Sequence, residues 1–586
     1  MAGITKYLMV LSFFLFFFIY FLQIHVYNND FWWHLASGKY IAEHHSLPQA
    51  DPFSYTTHAS PSNRKTIILK GYWLAQVIFY EVFSLWNLKG IIILRSLLML
   101  LFLFVIFLNI RKQNVSHLTA IILIAGVFSV AITTGGVRPQ LFTFLIFSIV
   151  FYLLEDFRMN RSKKVFLIPL LVMVLSNMHP GYIVCLLLIS IYLSAQVILF
   201  FIKRDSGYAT LRGLLAVWVL SILFSIFNPA GLDIFKEIFS IGHYTKGIVE
   251  FMPTFSLYAK KIIPVNYAYV IFLFFSLLSL RYFRKIGLVH ILLLIVFSIM
   301  SFVSIRYVIF YMCIAAPIIA RIIVILGEER IFNRLTGVLK KRETFLCLVS
   351  GVIGISLVFN AIPSFARYEF KEDESFAVPK AAADFLSKIK IRGNMFNEYG
   401  FGGYLIWRLY PDKKVFIDGR ALELDALNEY NTFASVSAGQ NRSWEDILKK
   451  YDISCIVMPP LLPYGKIYPI VEKLFEMDDW VLIYSDQLSL IFLRENSGNS
   501  SILEKFAENK EEGFNTIITQ ASARALRNKR NPYYLITLGK VFFKMGRIDD
   551  SEKAFLMASE RAPDNAVVKE WLQKLRENKT ERIKGR

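Results

Sequence analysis

The residues best suited to chemistry in this sequence lie in one polar stretch directly after an apolar N-terminal run. The stretch reads "NNDFWWHLASGKYIAEHHSLPQADPFSYTT" and contains Asp30, His34 and Asp51. A carboxylate placed here can take a proton from an attacking hydroxyl group. Each residue also has a simpler interpretation, because Asp30 could cap a helix that begins at Phe31, and "ADPFSY" could form an Asx turn. Asp30 and Asp51 could also share a divalent metal ion with a substrate phosphate.

Four further polar residues stand at the ends of apolar segments: Arg138 in "GGVRPQ", His179 in "NMHPG", Glu250 in "EFMP" and Arg306 in "SIRY". Ionisable groups at membrane depth are costly and are commonly functional. Arginine can bind a phosphate through two parallel hydrogen bonds, so these residues are predicted to form a pocket for a lipid-phosphate donor together with Asp30, His34 and Asp51. The alternative is that Arg138 and Arg306 are interfacial anchors whose stems lie in lipid.

These residues must be positioned by a membrane-embedded helical bundle. Hydrophobic residues make up 55% of the 586-residue chain, and the apolar runs of membrane-spanning length stop near Phe359. A helix needs about 20 apolar residues to cross a bilayer. The pattern predicts eleven spans, at 5–27, 88–110, 118–135, 139–156, 165–178, 181–202, 211–227, 265–281, 287–304, 305–325 and 343–361. The segment at 71–86 is predicted to be an amphipathic helix in the membrane interface.

The basic residues indicate the orientation of the bundle. The net charge of +20 is concentrated before residue 362, because residues 362–586 carry 34 Lys and Arg against 32 Asp and Glu. With the N-terminus in the cytoplasm, every strongly basic loop falls on the cytoplasmic side, as the positive-inside rule requires. The charge therefore indicates topology and argues against nucleic acid as a partner. The two long loops, 28–87 and 228–264, and the C-terminal part are predicted to lie outside the cytoplasmic membrane.

The C-terminal part has the pattern of a water-soluble region. Short apolar runs at 414–418, 455–458, 480–484 and 488–494 predict strands that alternate with helices, which favours a small α/β domain over 362–498 with a partly parallel sheet. The segment "NEYGFGGY" lacks the spacing of a dinucleotide-binding turn. Residues 499–586 are predicted to be helical, and 531–575 resembles one tetratricopeptide repeat. The sequence contains four cysteines, and their spacing indicates neither a structural metal site nor a disulfide framework.

The order of first span, acidic outer loop, amphipathic helix and second span is similar to that of the family C (GT-C) glycosyltransferases. The motifs "DFWWHLASGKYIAEHHSLPQADPFSY", "VRPQLF", "NMHPG" and "GGYLIW…KVFIDGR" resemble a bacterial group of membrane proteins related to that superfamily. The resemblance implies a GT-C-like helical fold and transfer of a sugar from a polyprenyl-phosphate carrier. It also implies that Asp30 is the catalytic-loop acid, with His34 and Asp51 as neighbours of unassigned role. Glu250-Phe251 stands where the family has a Glu-Trp pair.

Two other functions fit parts of the sequence. The interrupted helices at "GGVRPQ" and "NMHPG" are also found in transporters and flippases, which usually carry internal repeats and midplane polar groups. The repeat-like tail is typical of scaffold and assembly proteins that bind a protein partner. We therefore expect a multi-pass protein of the cytoplasmic membrane, with a glycosyltransferase as the leading prediction and these two functions as alternatives.

Overall fold

This computed structural model describes residues 2–24, 26, 28–57, 62–203, 207–233, 235, 249–327, 378–436, 443–495 and 498–584. The chain divides into two compact units. The first unit, called the bundle below, comprises residues 1–28, 37–49 and 61–370. The second unit, called the α/β unit below, comprises residues 29–36, 50–60 and 371–586. The α/β unit therefore includes two pieces of the first loop as well as the C-terminal part.

The bundle is built from apolar helices. Its elements, including the helix α2 that begins in the α/β unit, are α1 (Ala2–Gln23), α2 (Asp30–His44), α3 (Asn63–Lys70), α4 (Trp73–Arg111), α5 (His117–Thr134), α6 (Gln140–Asn160), α7 (Ile168–Ser176), α8 (Tyr182–Lys203), α9 (Tyr208–Ser225), α10 (Thr254–Ala259), α11 (Tyr267–Ser279), α12 (Phe283–Ile286), α13 (Leu288–Val303) and α14 (Val308–Gly327). Short 3-10 turns at Val249–Phe251 and Ile305–Tyr307 carry two of the residues singled out above.

Among the described residues, seven helical segments are long and apolar enough to cross a membrane: Lys6–Gln23, Arg64–Arg111, His117–Thr134, Gln140–Asn160, Tyr182–Ile202, Tyr208–Ser225 and Ile305–Gly327. The predicted eleven spans are not confirmed. The spans predicted at 165–178 and 265–281 contain helices of only 9 and 13 residues, α7 and α11. Helix α13 is apolar but also shorter than a full span. The span predicted at 343–361 lies outside the described residues.

Element α4 consists of two helices that meet at a kink, and they correspond to the segments predicted at 71–86 and 88–110. Asn87 interrupts it with a left-handed φ of 53° and a ψ of −149°. Asparagine accepts positive φ more readily than most residues, so the helix changes direction here. The boundary expected between the segments 71–86 and 88–110 therefore agrees with the break at Asn87.

The α/β unit contains a four-stranded sheet and many helices. Its elements are α15 (Lys380–Leu386), β1 (Asn394–Asn397), α16 (Gly402–Leu409), α17 (Leu424–Ala434), α18 (Trp444–Lys450), β2 (Ile453–Met458), α19 (Pro469–Leu474), β3 (Trp480–Ser485), β4 (Leu490–Arg494), α20 (Ser500–Phe506), α21 (Lys510–Arg527), α22 (Tyr533–Lys544), α23 (Ile548–Arg561) and α24 (Ala566–Lys584). The strand order is β1-β2-β4-β3, with β1 parallel to β2 and the other pairs antiparallel.

The predicted strand at 414–418 is wrong as a sheet strand. Val415 instead makes an isolated parallel bridge with Ser54 of the first loop. The Tyr55 amide donates to the Val415 carbonyl at 3.2 Å, and the Val415 amide donates to the Phe53 carbonyl at 3.0 Å. The apolar run at 414–418 pairs with this first-loop segment, and Phe416 packs against Phe396 of β1, a combination that no local pattern could reveal.

Within the α/β unit, the C-terminal helices pack on the sheet and on the loop that follows β2. The Tyr534 hydroxyl donates to the Pro463 carbonyl at 2.8 Å, and the Thr537 hydroxyl donates to the Gly465 carbonyl at 2.7 Å. One buried apolar cluster includes side chains from the sheet and from α22 and α23. The helical hairpin of α22 and α23 therefore shares a core with the sheet, as a single repeat must do to bury its apolar face. Its classification as a tetratricopeptide repeat stays a prediction.

Candidate functional site

In the bundle, two arginines converge on one carboxylate. Arg138 Nη1 donates to both oxygens of Glu250, at 2.7 and 2.8 Å. Arg306 Nε lies 4.0 Å from Glu250 Oε2. The side chains of Arg138, Arg306 and Glu250 are 21%, 31% and 43% exposed, respectively. The group therefore holds two guanidinium cations against one carboxylate, and all three side chains are partly exposed.

Turns between helices position these three side chains. Arg138 and Pro139 precede α6, and Pro139 suits this position because its fixed φ is close to the helical value. Arg306 lies in the 3-10 turn between α13 and α14, where the Ser304 hydroxyl accepts the Arg306 amide at 3.3 Å. The same hydroxyl donates to the Glu250 carbonyl at 2.8 Å, which joins the turns that carry Glu250 and Arg306. The Arg306 guanidinium also lies 4.5 Å from the centre of the Phe251 ring, a cation–π contact.

His179 belongs to the same group as a neutral imidazole. Its Nδ1 accepts the Gly181 amide at 2.9 Å and lies 2.8 Å from the Thr143 hydroxyl. Because an amide can only donate, Nδ1 must be the acceptor, so the neutral ring carries its proton on Nε2. Burial, with added repulsion from Arg306 and Arg138, lowers the pKa of His179 to about 3. The Nε2–H group is thus available as an uncharged donor beside two cations.

Asp30 begins α2 and belongs to the α/β unit. Trp33 Nε1 donates to Asp30 Oδ1 at 3.2 Å. The glycine-rich segments of the unit approach this helix start closely. A Cβ on Gly419 would lie 2.2 Å from Asp30 Oδ1, and one on Gly403 would lie 2.8 Å from the Asn29 carbonyl. Glycine is needed at both positions because any side chain would displace the segment that carries Asp30.

Asp51 also lies in the α/β unit, where it is fully buried in an ion-pair network. Arg420 donates to both Asp51 oxygens, at 2.7 and 3.2 Å, and to both Asp418 oxygens at 2.7 Å. The side chains of these three residues are at most 3% exposed. Burial opposes ionisation of Asp51, but the charge and hydrogen bonds of Arg420 outweigh it and the pKa is lowered. Asp51 is thus an ionised anchor for Arg420.

His34 is 4% exposed, and its ring centre lies 3.5 Å from that of Trp33, with the two rings tilted by 32°. His34 is therefore a packed side chain of this unit. The metal-sharing role considered for Asp51 does not fit its contacts, because both its oxygens are engaged by Arg420 and by the amides of Phe53 and Ser54. The described residues contain no group of three or more His, Cys, Asp or Glu side chains able to hold a metal ion.

Glu398 is a candidate that the sequence did not indicate. It follows β1, and its Oε2 accepts the Phe401 amide at 2.9 Å. A Cβ on Gly400 would lie 2.9 Å from Asn29 Nδ2 and 3.0 Å from Glu398 Oε2, so this carboxyl group lies beside the residue that precedes Asp30. Burial raises the pKa of Glu398 to about 7. A single glutamate in a glycine-rich loop gave no signal by itself, although its place at the carboxyl end of a strand could have done so.

Sequence comparisons identify no relative for this chain. No protein-family model matches it, and no curated protein matches it. Structural comparison does find similarity: the crystal structure of the Archaeoglobus fulgidus oligosaccharyltransferase in the apo form superimposes with a TM-score of 0.52 at 9% identity. The match covers 90% of this chain and 84% of the archaeal one.

This chain has a fold similar to that of an oligosaccharyltransferase. At 9% identity the similarity concerns the fold, and it spans both the bundle and the C-terminal part because 90% of the chain is covered. A largely helical chain with apolar helices of membrane-spanning length and a fold similar to that of this oligosaccharyltransferase is therefore supported. Fold does not fix chemistry, so any activity must be argued from the residues described above.

Proposed function

We propose that this protein is a membrane glycosyltransferase that transfers a sugar from a polyprenyl-phosphate-linked donor to an acceptor at the outer face of the cytoplasmic membrane. The observation that carries the proposal is the group formed by Arg138, Arg306, Glu250 and His179. Two guanidinium groups and a neutral N–H donor match the needs of a phosphate, which accepts charge-assisted hydrogen bonds. The oligosaccharyltransferase-like fold supports the same class of reaction.

In the proposed reaction, an acceptor hydroxyl or amide attacks the anomeric carbon of the sugar. The bond between that carbon and the phosphate oxygen breaks, and the lipid phosphate leaves with the electron pair. Arg138 and Arg306 stabilise the negative charge on the leaving phosphate, and His179 Nε2–H donates to one of its oxygens. Asp30 accepts the proton that the acceptor loses. The atoms and charges of this transfer balance with the donor, the acceptor and these side chains.

Asp30 suits the role of base for two local reasons. It is the first residue of α2, where the helix dipole favours an ionised carboxylate. Its segment is fixed by the close approach of Gly403 and Gly419, which limits the positions that the carboxylate can take. Catalytic groups gain efficiency when their supporting residues hold them in place.

The direct test is sugar transfer by the purified full chain in lipid nanodiscs. We expect Asp30→Asn to lower turnover by at least 100-fold, in the range measured for loss of a general base. Asn keeps the size and one acceptor oxygen, so insertion and thermal stability should not change. The matched control is Asp549→Asn, at an exposed position in the first turn of α23. Full activity of Asp30→Asn would show that Asp30 is not the base.

A further inference from the structure

Thr143 uses its hydroxyl group differently from several other threonines in helices of this protein. The hydroxyls of Thr133, Thr134 and Thr519 donate to carbonyls three or four positions earlier in their own helices. The Thr143 hydroxyl of α6 instead lies 2.8 Å from Nδ1 of His179, in the turn between α7 and α8. Because Thr143 is only 1% exposed, this contact is shielded from water and ties α6 to that turn.

The chemistry of Nδ1 fixes the direction of this hydrogen bond. The Gly181 amide donates to the same nitrogen at 2.9 Å, and an amide can only donate. Nδ1 therefore presents its lone pair, and the Thr143 hydroxyl is the donor in the second contact. Two N–H and O–H groups thus hold one nitrogen of the ring, which leaves the proton of the neutral imidazole on Nε2.

The space around Nδ1 is tightly filled. A Cβ on Gly181 would lie 2.5 Å from His179 Nδ1 and 2.7 Å from both Oγ1 and Cγ2 of Thr143. The ring, the threonine side chain and the turn therefore fit together only with glycine at position 181.

The two groups that hold Nδ1 have different effects on the ring. The Gly181 amide decides which nitrogen carries the proton, because it cannot accept a hydrogen bond. A hydroxyl can donate or accept, so the Thr143 hydroxyl alone does not select the tautomer. It sets the rotation of the ring instead, since a reversed ring would place a C–H group against it and would lose the hydrogen bond.

We propose that Thr143 is a positioning residue for phosphate binding: its hydroxyl group holds the His179 ring at the rotation in which Nε2–H donates to the phosphate of the lipid-linked sugar. This inference rests on the proposed function, in which His179 supplies that N–H group. A ring that is already fixed loses less rotational freedom when the ligand binds. Thr143 therefore contributes to phosphate binding without touching the phosphate.

The test measures binding of polyprenyl methyl phosphate to the full chain in lipid nanodiscs. Thr143→Val keeps the shape of the side chain and removes the hydroxyl, whereas Thr143→Ser keeps the hydroxyl. Thr143→Ala is a second variant without the hydroxyl, and its smaller side chain avoids any strain beside Gly181. Thr143→Val is also combined with His179→Ala, because residues that act together have non-additive effects. The matched control is Thr519→Val, at an exposed position of α21.

We expect Thr143→Val and Thr143→Ala to weaken binding about three- to tenfold, as for loss of one hydrogen bond. Thr143→Ser and Thr519→Val should stay within about twofold of the wild type, the range of neutral substitutions. In the His179→Ala background, Thr143→Val should weaken binding further by less than about twofold, because the ring on which Thr143 acts is absent.

Nitrogen-15 NMR of histidine-labelled protein gives a readout that needs no ligand, with the His179 signals identified by their loss in His179→Ala. We expect the Nε2–H tautomer in the wild type and a shifted Nδ1 signal in Thr143→Val but not in Thr143→Ser. An unchanged Nδ1 signal in Thr143→Val, wild-type binding by His179→Ala, or equal effects of Thr143→Val with and without His179 would overturn the proposal and leave the proposed function intact. If the wild type does not bind the lipid phosphate, the proposed function is wrong and the role of Thr143 falls with it.

Discussion

The two ionic groups of this protein use the same side chains for different purposes. In the bundle, Arg138 and Arg306 share Glu250, and all three side chains are between 21% and 43% exposed. In the α/β unit, Arg420 is shared by Asp51 and Asp418, and all three are almost completely buried. Among the described residues, one group joins two arginines to one carboxylate and is partly exposed, whereas the other joins one arginine to two carboxylates and is buried. Burial and charge balance, more than residue type, separate a candidate binding site from a structural anchor.

The two ionic groups should differ most in how much stability the protein loses when one carboxylate is replaced. Asp51→Asn leaves Arg420 paired with Asp418 and removes charge-assisted hydrogen bonds to Asp51, each worth about 1.5–3 kcal/mol. We expect the α/β unit to lose stability by that amount, measured by thermal or urea unfolding of the full chain in detergent. Glu250→Gln is the matched change in the exposed group and should alter stability by less than about 1 kcal/mol, since exposed pairs contribute little. Equal effects of the two substitutions would break the comparison.

A smaller effect is expected for Glu398. Burial is the largest cause of its pKa shift, and backbone hydrogen bonds from Phe401 and Gly400 oppose it only in part. Its pKa is raised to about 7, so the folded state holds a proton that the unfolded state releases near its ordinary value of 4.5. Stability should therefore fall as the pH rises between these two values. Glu398→Gln removes this dependence and should stabilise the protein by about 1–2 kcal/mol at pH 8 but hardly at pH 5, because partial exposure reduces the full effect.

The measurement for Glu398 is thermal unfolding at pH 5 and pH 8, with Glu570→Gln at an exposed position of α24 as the control. A stabilisation of equal size at both pH values would contradict the assignment, because it would not depend on ionisation. Loss of stability at pH 8 would show that the carboxylate, once ionised, is held by favourable contacts.

The sequence indicated the parts of the fold that depend on local patterns. Apolar runs located most helices of the bundle, and helices at Gly402–Leu409 and Pro469–Leu474 follow the predicted pattern. The polar residues at the ends of those runs were expected to meet, and four of them do so within the bundle. This could be anticipated because ionisable residues at the ends of apolar segments are costly at membrane depth and tend to gather at functional sites.

The parts that could not be anticipated depend on contacts between distant residues. Asp51 and Arg420 are separated by 369 positions, and nothing near Asp51 shows that a guanidinium will neutralise it. Likewise, the run at 414–418 has the composition of a sheet strand but bridges to Ser54 in place of the sheet. The glycines of "NEYGFGGY" have the composition of a nucleotide-binding turn, yet Gly403 lies against the Asn29 carbonyl. In each case a residue of the C-terminal part contacts a residue of the first loop.

The central claim is that the exposed group binds the donor phosphate, and Arg306→Lys tests it most directly. Lys keeps the positive charge and would serve equally well as an interfacial anchor, but it loses the planar fork that matches a phosphate. We predict unchanged insertion and thermal stability, with binding of a polyprenyl-phosphate donor weakened by about 1.5–3 kcal/mol, the range for hydrogen bonds to charged groups. Wild-type donor affinity and turnover in Arg306→Lys would contradict the account.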